Sequence, residues 1–169
     1  TSAVKSVARH IPGPRLGFSP KWLILPLFIV AILVWYAALT QPDHKLHVSL
    51  LDVGQGDAIL IQTPNGQDIL IDGGPDPGKI NLALSEKLPF WDRTIDLVVC
   101  TQPHADHLTG LIDVIQRYRV KQVLEPGISY NSSVYQAWRG FIQEKQVRRD
   151  EAQAGQEIDL GDGVKLEVI

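Results

Sequence analysis

The chain has 169 residues, a single cysteine, no methionine and a formal net charge of −3. One cysteine excludes an internal disulfide framework, and the acidic balance argues against a generally basic nucleic-acid platform. The charge is unevenly divided, because residues 1–40 carry four basic and no acidic side chains. The remaining twelve Lys and Arg against all nineteen Asp and Glu leave residues 41–169 at −7. The sequence begins Thr-Ser-Ala and is expected to be a piece of a longer protein.

Residues 22–39, WLILPLFIVAILVWYAAL, form an uncharged run of eighteen residues, eleven of them Leu, Ile, Val or Phe. This length reaches the threshold for a transmembrane helix, and Trp22, Trp35 and Tyr36 lie at the borders, where aromatic residues anchor such helices. A signal peptide, for which Ala37-Ala38 offers a weak cleavage site, and a buried core helix are the alternatives. The run is longer than the apolar region of a signal peptide, which has about 7–15 residues, and it is apolar on every face, so we predict a transmembrane helix.

The basic flank, residues 1–21, precedes this helix. By the positive-inside rule it is predicted to be a cytoplasmic or loop segment, with the acidic part of the chain on the non-cytoplasmic side. Earlier helices in a longer parent protein would set the orientation instead. We expect a cell-membrane protein that is multi-pass in its parent form.

Residues 46–169 alternate between strand and helix patterns. Asn65-Gly66 is a strong hairpin signal, and the apolar run 95–101 is typical of a strand buried on both faces. Strand hairpins followed by alternating helices and strands predict an α/β fold with a mixed sheet. The predicted strands are 46–53, 58–63, 68–72, 95–101, 120–124, 156–160 and 164–169, and the predicted helices are 81–88, 108–118 and 132–146.

The segment from Gln102 to His107, Gln-Pro-His-Ala-Asp-His, directly follows the buried strand. Imidazole and carboxylate groups suit zinc or a harder divalent metal, and a strand end brings them to one point. We therefore predict that His104, Asp106 and His107 converge on a metal. The alternative is a polar loop that caps the next helix, with Asp106 near the helix N-terminus and solvated histidines.

Two further aspartates and several basic residues are weaker candidates. Asp72 precedes Gly73-Gly74 and suits a turn, while Asp57 favours an Asx-turn over a position in a cleft. The basic residues are more often a solvated helix end than a contact to DNA phosphates. They are Arg117, Arg119, Lys121, Arg148 and Arg149.

Three motifs occur in order: Asp52-Val-Gly-Gln-Gly-Asp57-Ala58, Ile69-Leu-Ile-Asp72-Gly-Gly74, and Thr101-Gln-Pro-His104-Ala-Asp106-His107-Leu-Thr-Gly110-Leu111. Together they resemble the metallo-β-lactamase-fold domain of the ComEC family of DNA-uptake competence proteins. A membrane helix directly before that domain resembles the same family's layout. The resemblance covers about residues 46–169. It implies the N-terminal half of an αββα sandwich.

The resemblance also implies a pair of divalent metal ions, zinc or manganese. His104 would bind the first metal, Asp106 and His107 the second, with Asp106 also catalytic, and Asp72 would orient the ligands. The family signature is His-x-His-x-Asp-His, so Gln102 replaces the first histidine with an amide oxygen, a weaker zinc ligand. Nothing after His107 resembles the family's later ligand motifs, and the chain as given is expected to hold an incomplete two-metal site.

Three functions are compatible with these observations. The first is a membrane-tethered metal-dependent hydrolase of a DNA-uptake channel, which cleaves DNA and has the membrane, DNA and other competence proteins as partners. The second is a degenerate, metal-poor module that binds DNA or stabilises the channel. The third is an unrelated metallohydrolase anchored by one helix. The sequence leaves the metal identity, the substrate polarity and the oligomeric state open.

Overall fold

The computed structural model describes residues 21–39 and 43–169. They belong to two units that divide between residues 41 and 42. Apart from Lys21, the predicted basic segment 1–21 lies outside the described residues.

The first unit contains helix α1 (Lys21–Leu39), which includes the predicted run 22–39. Its segment Lys21–Ala38 has a mean hydropathy of 2.0 and is long and apolar enough to cross a membrane. Pro26 lies near the N-terminal end, where the loss of one backbone hydrogen bond disturbs the fewest turns. Core helices of soluble proteins and signal sequences share this length and composition, so the membrane span stays a prediction.

The second unit is a mixed α/β domain, as the sequence predicts. Its elements within the described residues are β1 (His47–Leu50), β2 (Ile59–Gln62), β3 (Asp68–Ile71), α2 (Pro77–Lys87), β4 (Thr94–Val99), α3 (Ala105–Arg117), β5 (Arg119–Pro126), α4 (Ser133–Glu144), β6 (Arg148–Ala152), β7 (Glu157–Gly161) and β8 (Val164–Glu167).

Strands β1 to β6 form one sheet in chain order. The pairs β1–β2 and β2–β3 are antiparallel, and β3 to β6 are parallel. Because parallel crossovers are right-handed and the strand order never reverses, α2, α3 and α4 all pack on the same face. The helices and that face enclose the larger core, which includes Trp138, Leu108 and Leu111.

The opposite face of the sheet is covered by the antiparallel hairpin β7–β8. Leu160 of β7 packs there against Ile69, Leu97 and Leu124 from the three central strands. These central strands are therefore buried on both faces, which explains why the run 95–101 is almost continuously apolar. The three layers are helices, the six-stranded sheet and the hairpin.

Two helices begin earlier than the sequence predicts. Helix α2 begins at Pro77, because the Asp76 carboxylate caps it by accepting hydrogen bonds from the backbone N–H groups of Gly78 (2.8 Å) and Lys79 (3.1 Å). Helix α3 begins at Ala105, so its first turn contains Asp106 and His107. The predicted metal-binding segment from Gln102 to His107 is therefore partly helical.

Strand β6 has the sequence Arg-Arg-Asp-Glu-Ala, which carries no apolar alternation and was not predicted. Arg149 in this strand contacts the fully buried carboxylate of Glu125, which also accepts hydrogen bonds from Arg139 (2.6 Å) and the Trp138 indole (2.8 Å). Burial raises the pKa of Glu125, but these hydrogen bonds, led by that of Arg149, outweigh burial and lower it. The buried carboxylate is thus charged and balanced by arginine.

Helix α3 meets the loop after β3 without space for side chains. A Cβ on Gly110 would lie 1.9 Å from the carbonyl oxygen of Gly73, and a Cβ on Gly73 would lie 2.6 Å from the backbone nitrogen of Leu111. Two hydrogen bonds connect the segments, from Gly73 N–H to His107 O (2.8 Å) and from Gly110 N–H to Gly74 O (2.9 Å). This contact sets the distance between the end of β3 and the first turn of α3.

We expect Gly110→Ala to lower the free energy of unfolding by about 1–3 kcal/mol, because its methyl group would overlap the Gly73 carbonyl. Gly140→Ala in α4 is the matched control, since its Cβ would meet no atom of the described residues within 4 Å. Alanine favours a helix by up to about 1 kcal/mol over glycine, so the control should be neutral or more stable. Urea unfolding followed by circular dichroism compares the two. Equal stability changes in both variants would contradict the close contact.

Candidate metal centre

The predicted site residues lie at the carboxyl edge of the parallel strands. Asp72 follows β3, the segment from Thr101 to His104 follows β4, and the loop 127–131 follows β5. Adjacent parallel strands end at the same edge, which is where open α/β sheets bind their ligands. The fold therefore brings three separate segments of the chain to one place.

Asp72 is the buried centre of this edge. Its Oδ1 accepts a hydrogen bond from the Thr101 backbone N–H (2.8 Å), and its Oδ2 accepts from the Thr101 hydroxyl (2.5 Å) and from His107 Nδ1 (2.9 Å). The residue has φ +56°, a left-handed conformation that aspartate tolerates better than most residues. Asp72 thus turns the chain and also contacts His107, one of the predicted ligands. Its predicted role in orienting a metal ligand stays a prediction.

His107 and Asp106 form the first pair of potential metal donors. The Asp72 carboxylate can only accept a hydrogen bond, so the ring proton of His107 is on Nδ1 and the lone pair of the neutral ring is on Nε2. The Asp106 Oδ2 lies 3.8 Å from that Nε2. The His107 side chain is largely buried and the Asp106 side chain is exposed, so the pair lies at the surface of the domain.

Gln102 and His104 form a second pair. His104 Nδ1 lies 3.2 Å from Gln102 Oε1, and His104 Nε2 lies 2.7 Å from the Tyr130 hydroxyl. The His104 and Tyr130 rings are also in edge-to-face contact, with centroids 5.2 Å apart. His104 occupies the N-cap position of α3 but makes no side-chain cap bond, so its ring is held by these two contacts.

The single cluster of His104, Asp106 and His107 that the sequence predicts is not formed. Within residues 21–39 and 43–169, no group of three or more His, Cys, Asp or Glu side chains is arranged to hold a metal ion. The reason is the start of α3 at Ala105: the helix carries Asp106 and His107 together, while His104 precedes it and meets Tyr130. The assignment of the three residues as ligands stays a prediction.

The remaining candidates lie around these two pairs. The Asx-turn considered for Asp57 is made by Asp52, whose Oδ1 accepts from Gly54 N–H (3.1 Å). Asp57 is exposed, and its role in the cleft stays a prediction. Gly56 before it lies against the backbone of Asp106, where a Cβ would come within 2.3 Å of the Asp106 carbonyl oxygen. This loop therefore borders the Asp106–His107 pair.

Cys100 lies beneath the site and is a free, buried cysteine. Its thiol is buried and donates a hydrogen bond to the Gln102 carbonyl oxygen (3.3 Å). Burial, together with the negative charges of Asp72 and Glu125, raises the pKa of Cys100 to about 12. The thiol is therefore protonated near neutral pH.

Two residues of the site were not predicted. Thr101 donates twice to Asp72, and its place at the end of the predicted strand 95–101 was the only signal in the sequence for that role. Tyr130 reaches His104 from a loop 26 residues further along the chain, and no motif marks it. Contacts of this kind depend on which strand ends are neighbours in the sheet.

The sequence matches the family model of the metallo-beta-lactamase superfamily over residues 51–167, and the chain belongs to this superfamily. Among solved structures, it is similar to a Cronobacter sakazakii metallo-β-lactamase described by a HARLDQ motif, with 22% identity over 71% of this chain and 48% of that chain, and a TM-score of 0.51. A HARLDQ motif mutant of a Cronobacter sakazakii metallo-β-lactamase has 25% identity over 71% and 49%, with a TM-score of 0.50. The chain thus spans about half the length of these structures. No curated protein matches it.

The residues present fit a divalent metal in part. In His107, one ring nitrogen donates to a carboxylate while the other is available, which is the arrangement of metal-binding histidines. Asp106 adds an oxygen donor beside it. Each pair supplies two donors from the described residues, whereas a zinc site normally takes at least three protein ligands.

We expect Asp72→Asn to weaken Zn²⁺ binding about tenfold to a hundredfold, because the carboxylate that orients His107 is lost. Asparagine also tolerates a left-handed conformation, so the turn should be retained. The matched control is Asp52→Asn, which changes a carboxylate of the neighbouring exposed turn in the same way. Isothermal titration calorimetry with Zn²⁺ measures both variants. Unchanged Zn²⁺ affinity in Asp72→Asn would contradict an orienting role.

Proposed function

We propose that this protein is a membrane-tethered, metal-dependent hydrolase that cleaves phosphodiester bonds of DNA as part of a ComEC-like DNA-uptake channel. The observation that carries the hydrolase proposal is the hydrogen bond from His107 Nδ1 to the buried Asp72, which directs His107 Nε2 toward the side of Asp106. Membership of the metallo-beta-lactamase superfamily supports it, since this fold generally binds divalent metals. The DNA substrate and the channel rest on the resemblance of the three ordered motifs.

In this proposal the two ring nitrogens of His107 have different roles, since Nδ1 is bonded to Asp72 and Nε2 faces Asp106. Asp72 holds the ring in one tautomer and orientation, while His107 and Asp106 hold a zinc or manganese ion. The ion would supply an activated water and stabilise charge on the phosphate oxygens. The carboxylate of Asp106 is exposed to solvent, which suits its predicted catalytic role.

The charge distribution limits how DNA would be held. Four of the five basic residues considered for phosphate contacts are paired with carboxylates: Arg117 with Asp113 (2.5 Å), Lys121 with Asp96 (2.5 Å), Arg148 with Asp150 (3.0 Å), and Arg149 with Glu125. They are not a basic platform, and the domain as a whole is acidic. Recognition of a phosphodiester would therefore depend on the positive charge of the bound metal, which counters the negative charge of this surface.

A second candidate function is a degenerate module that binds DNA or stabilises the channel without chemistry. Two observations favour it: Gln102 stands where the family has a histidine, and the described residues form two pairs of donors instead of one cluster. Other competence proteins would be its partners. The two candidates differ in whether the protein binds a metal.

The decisive comparison is between the protein, Gln102→His and His107→Ala. If the protein is a hydrolase, Gln102→His should tighten Zn²⁺ binding, because it replaces an amide oxygen with an imidazole donor beside His104. His107→Ala should weaken Zn²⁺ binding and metal-dependent cleavage of DNA, because it removes a ligand.

Calorimetry gives the Zn²⁺ affinity, and release of fragments from labelled DNA with Zn²⁺ or Mn²⁺ gives the cleavage activity. His47→Ala serves as the control, since His47 is exposed and its ring contacts Asp43 outside the site. Equally negligible metal binding by all four proteins would overturn the hydrolase proposal and leave the degenerate module.

We further propose that α1 spans the cell membrane, with residues 1–21 in the cytoplasm and the metallo-β-lactamase domain outside, in a parent protein with several membrane helices. The uncharged helix and the basic flank support this orientation. A topology reporter fused after Leu39 is expected to give a non-cytoplasmic signal, and one fused before Lys21 a cytoplasmic signal. A cytoplasmic signal from the fusion after Leu39 would refute the orientation.

A further inference from the structure

We infer that the groove between the loop after β5 and helix α4 binds an exposed nucleobase of a DNA strand, next to the candidate metal centre. The groove has a volume of about 840 Å³, which is within the range of small-molecule binding sites. The loop from Gly127 to Tyr130, one face of α4 and the side chains of Arg149 and Glu151 line it. The inference rests on the proposed function, because it names the part of the DNA that this chain holds beside the reacting phosphate.

Tyr130 connects the groove to the candidate metal centre. Nδ1 of His104 lies 3.2 Å from Oε1 of Gln102, which can only accept a hydrogen bond, so the ring proton is on Nδ1. The Tyr130 hydroxyl therefore donates its hydrogen bond to Nε2 of His104 (2.7 Å). Tyr130 also lines the groove and is 40% exposed. A ligand in the groove is thus separated from His104 by a single side chain.

One face of α4 supplies amide groups to the groove. Gln136, Gly140 and Gln143 are spaced four and three residues apart, so they share a face of the helix, and all three are exposed. Gly140 leaves the middle of this face open, since a Cβ there would meet no described atom within 4 Å. An amide both donates and accepts, which is how glutamine pairs with the N6 and N7 atoms of adenine.

The amide of Gln143 is available to a ligand. Within residues 43–169 its side chain forms no hydrogen bond with another residue, whereas Gln136 donates a long one to Oδ1 of Asn131 (3.4 Å). A base edge in the groove would therefore gain a partner at Gln143 without breaking a hydrogen bond of the fold.

The charges of the groove favour a neutral ligand over a phosphate. The lining includes Arg139 and Arg149, but both guanidinium groups contact the buried carboxylate of Glu125, and Arg149 also contacts Glu151 (2.9 Å). Two cations and two carboxylates balance, so the groove has no excess positive charge for a phosphate. A nucleobase is planar and uncharged, and the ring of Tyr130 offers it a surface for stacking.

Fluorescence anisotropy of a labelled single-stranded oligonucleotide with the full chain tests the groove. EDTA is present, so that no metal contributes. The matched ligand is an abasic oligonucleotide of the same length, which has the same phosphates and no bases. We expect the strand with bases to bind at least about fivefold more tightly, as stacking of one base contributes. Equal affinity for the two strands, or no binding of either, would overturn the inference.

Substitutions then locate the base. Tyr130→Ala should weaken binding of the base-containing strand about fivefold or more, while Tyr130→Phe, which keeps the ring, should retain most of it. Gln143→Ala should weaken it about threefold to tenfold through a lost hydrogen bond.

Gln116→Ala is the matched control, because Gln116 is an exposed glutamine of α3 outside the groove. Thermal unfolding confirms that each variant is folded. Unchanged binding of the base-containing strand in Tyr130→Ala or in Gln143→Ala, or an equal loss in Gln116→Ala, would place the base elsewhere and overturn the inference.

The two proposals fail in different ways, because binding in EDTA needs no metal. Base-dependent binding by a protein that binds no Zn²⁺ would keep the groove and overturn the hydrolase proposal. Zn²⁺ binding and DNA cleavage without a preference for the strand with bases would overturn the groove and keep the hydrolase proposal.

Discussion

The contact between two glycines, Gly73 after β3 and Gly110 in α3, is the constraint on which the candidate site depends. With no Cβ on either residue, the helix backbone approaches the strand end closely enough for two backbone hydrogen bonds. This approach brings His107, in the first turn of the helix, to 2.9 Å from Asp72 at the end of the strand. A larger residue at either glycine would separate the orienting carboxylate from the histidine that it orients.

Three carboxylates are buried in the described part of this domain, those of Asp68, Asp72 and Glu125. The environments of Glu125 and Asp72 differ in how the carboxylate is compensated. Glu125, at the end of β5, is paired with Arg139 and Arg149, so its charge is balanced and it stabilises the junction of β5, α4 and β6. Asp72 instead accepts hydrogen bonds from a backbone N–H, a hydroxyl and an imidazole, and no arginine within residues 43–169 forms an ion pair with it. An arginine-paired carboxylate suits a structural role, whereas Asp72 fixes the orientation of the His107 ring.

Several features followed from the sequence because they are local. The alternation of strand and helix patterns predicted the α/β class, and the apolar run 95–101 predicted a strand buried on both faces. Other features were missed. The cap at Asp76 moved the start of α2. The charged strand β6 has no apolar alternation that would predict it, and its pairing with β5 places it in the sheet. The ion pair of Arg149 with Glu125 stabilises that strand.

The sequence by itself determined the class of fold, the apolar helix and the composition of the motif from Gln102 to His107, since each depends on residues that are close in the chain. Only the tertiary structure decided how the motif divides. The start of α3 places Asp106 and His107 together against Asp72, and the loop after β5 brings Tyr130 to His104. The partners of these histidines lie 35 and 26 residues away, and such contacts arise from the order of strands in the sheet, which no local pattern encodes.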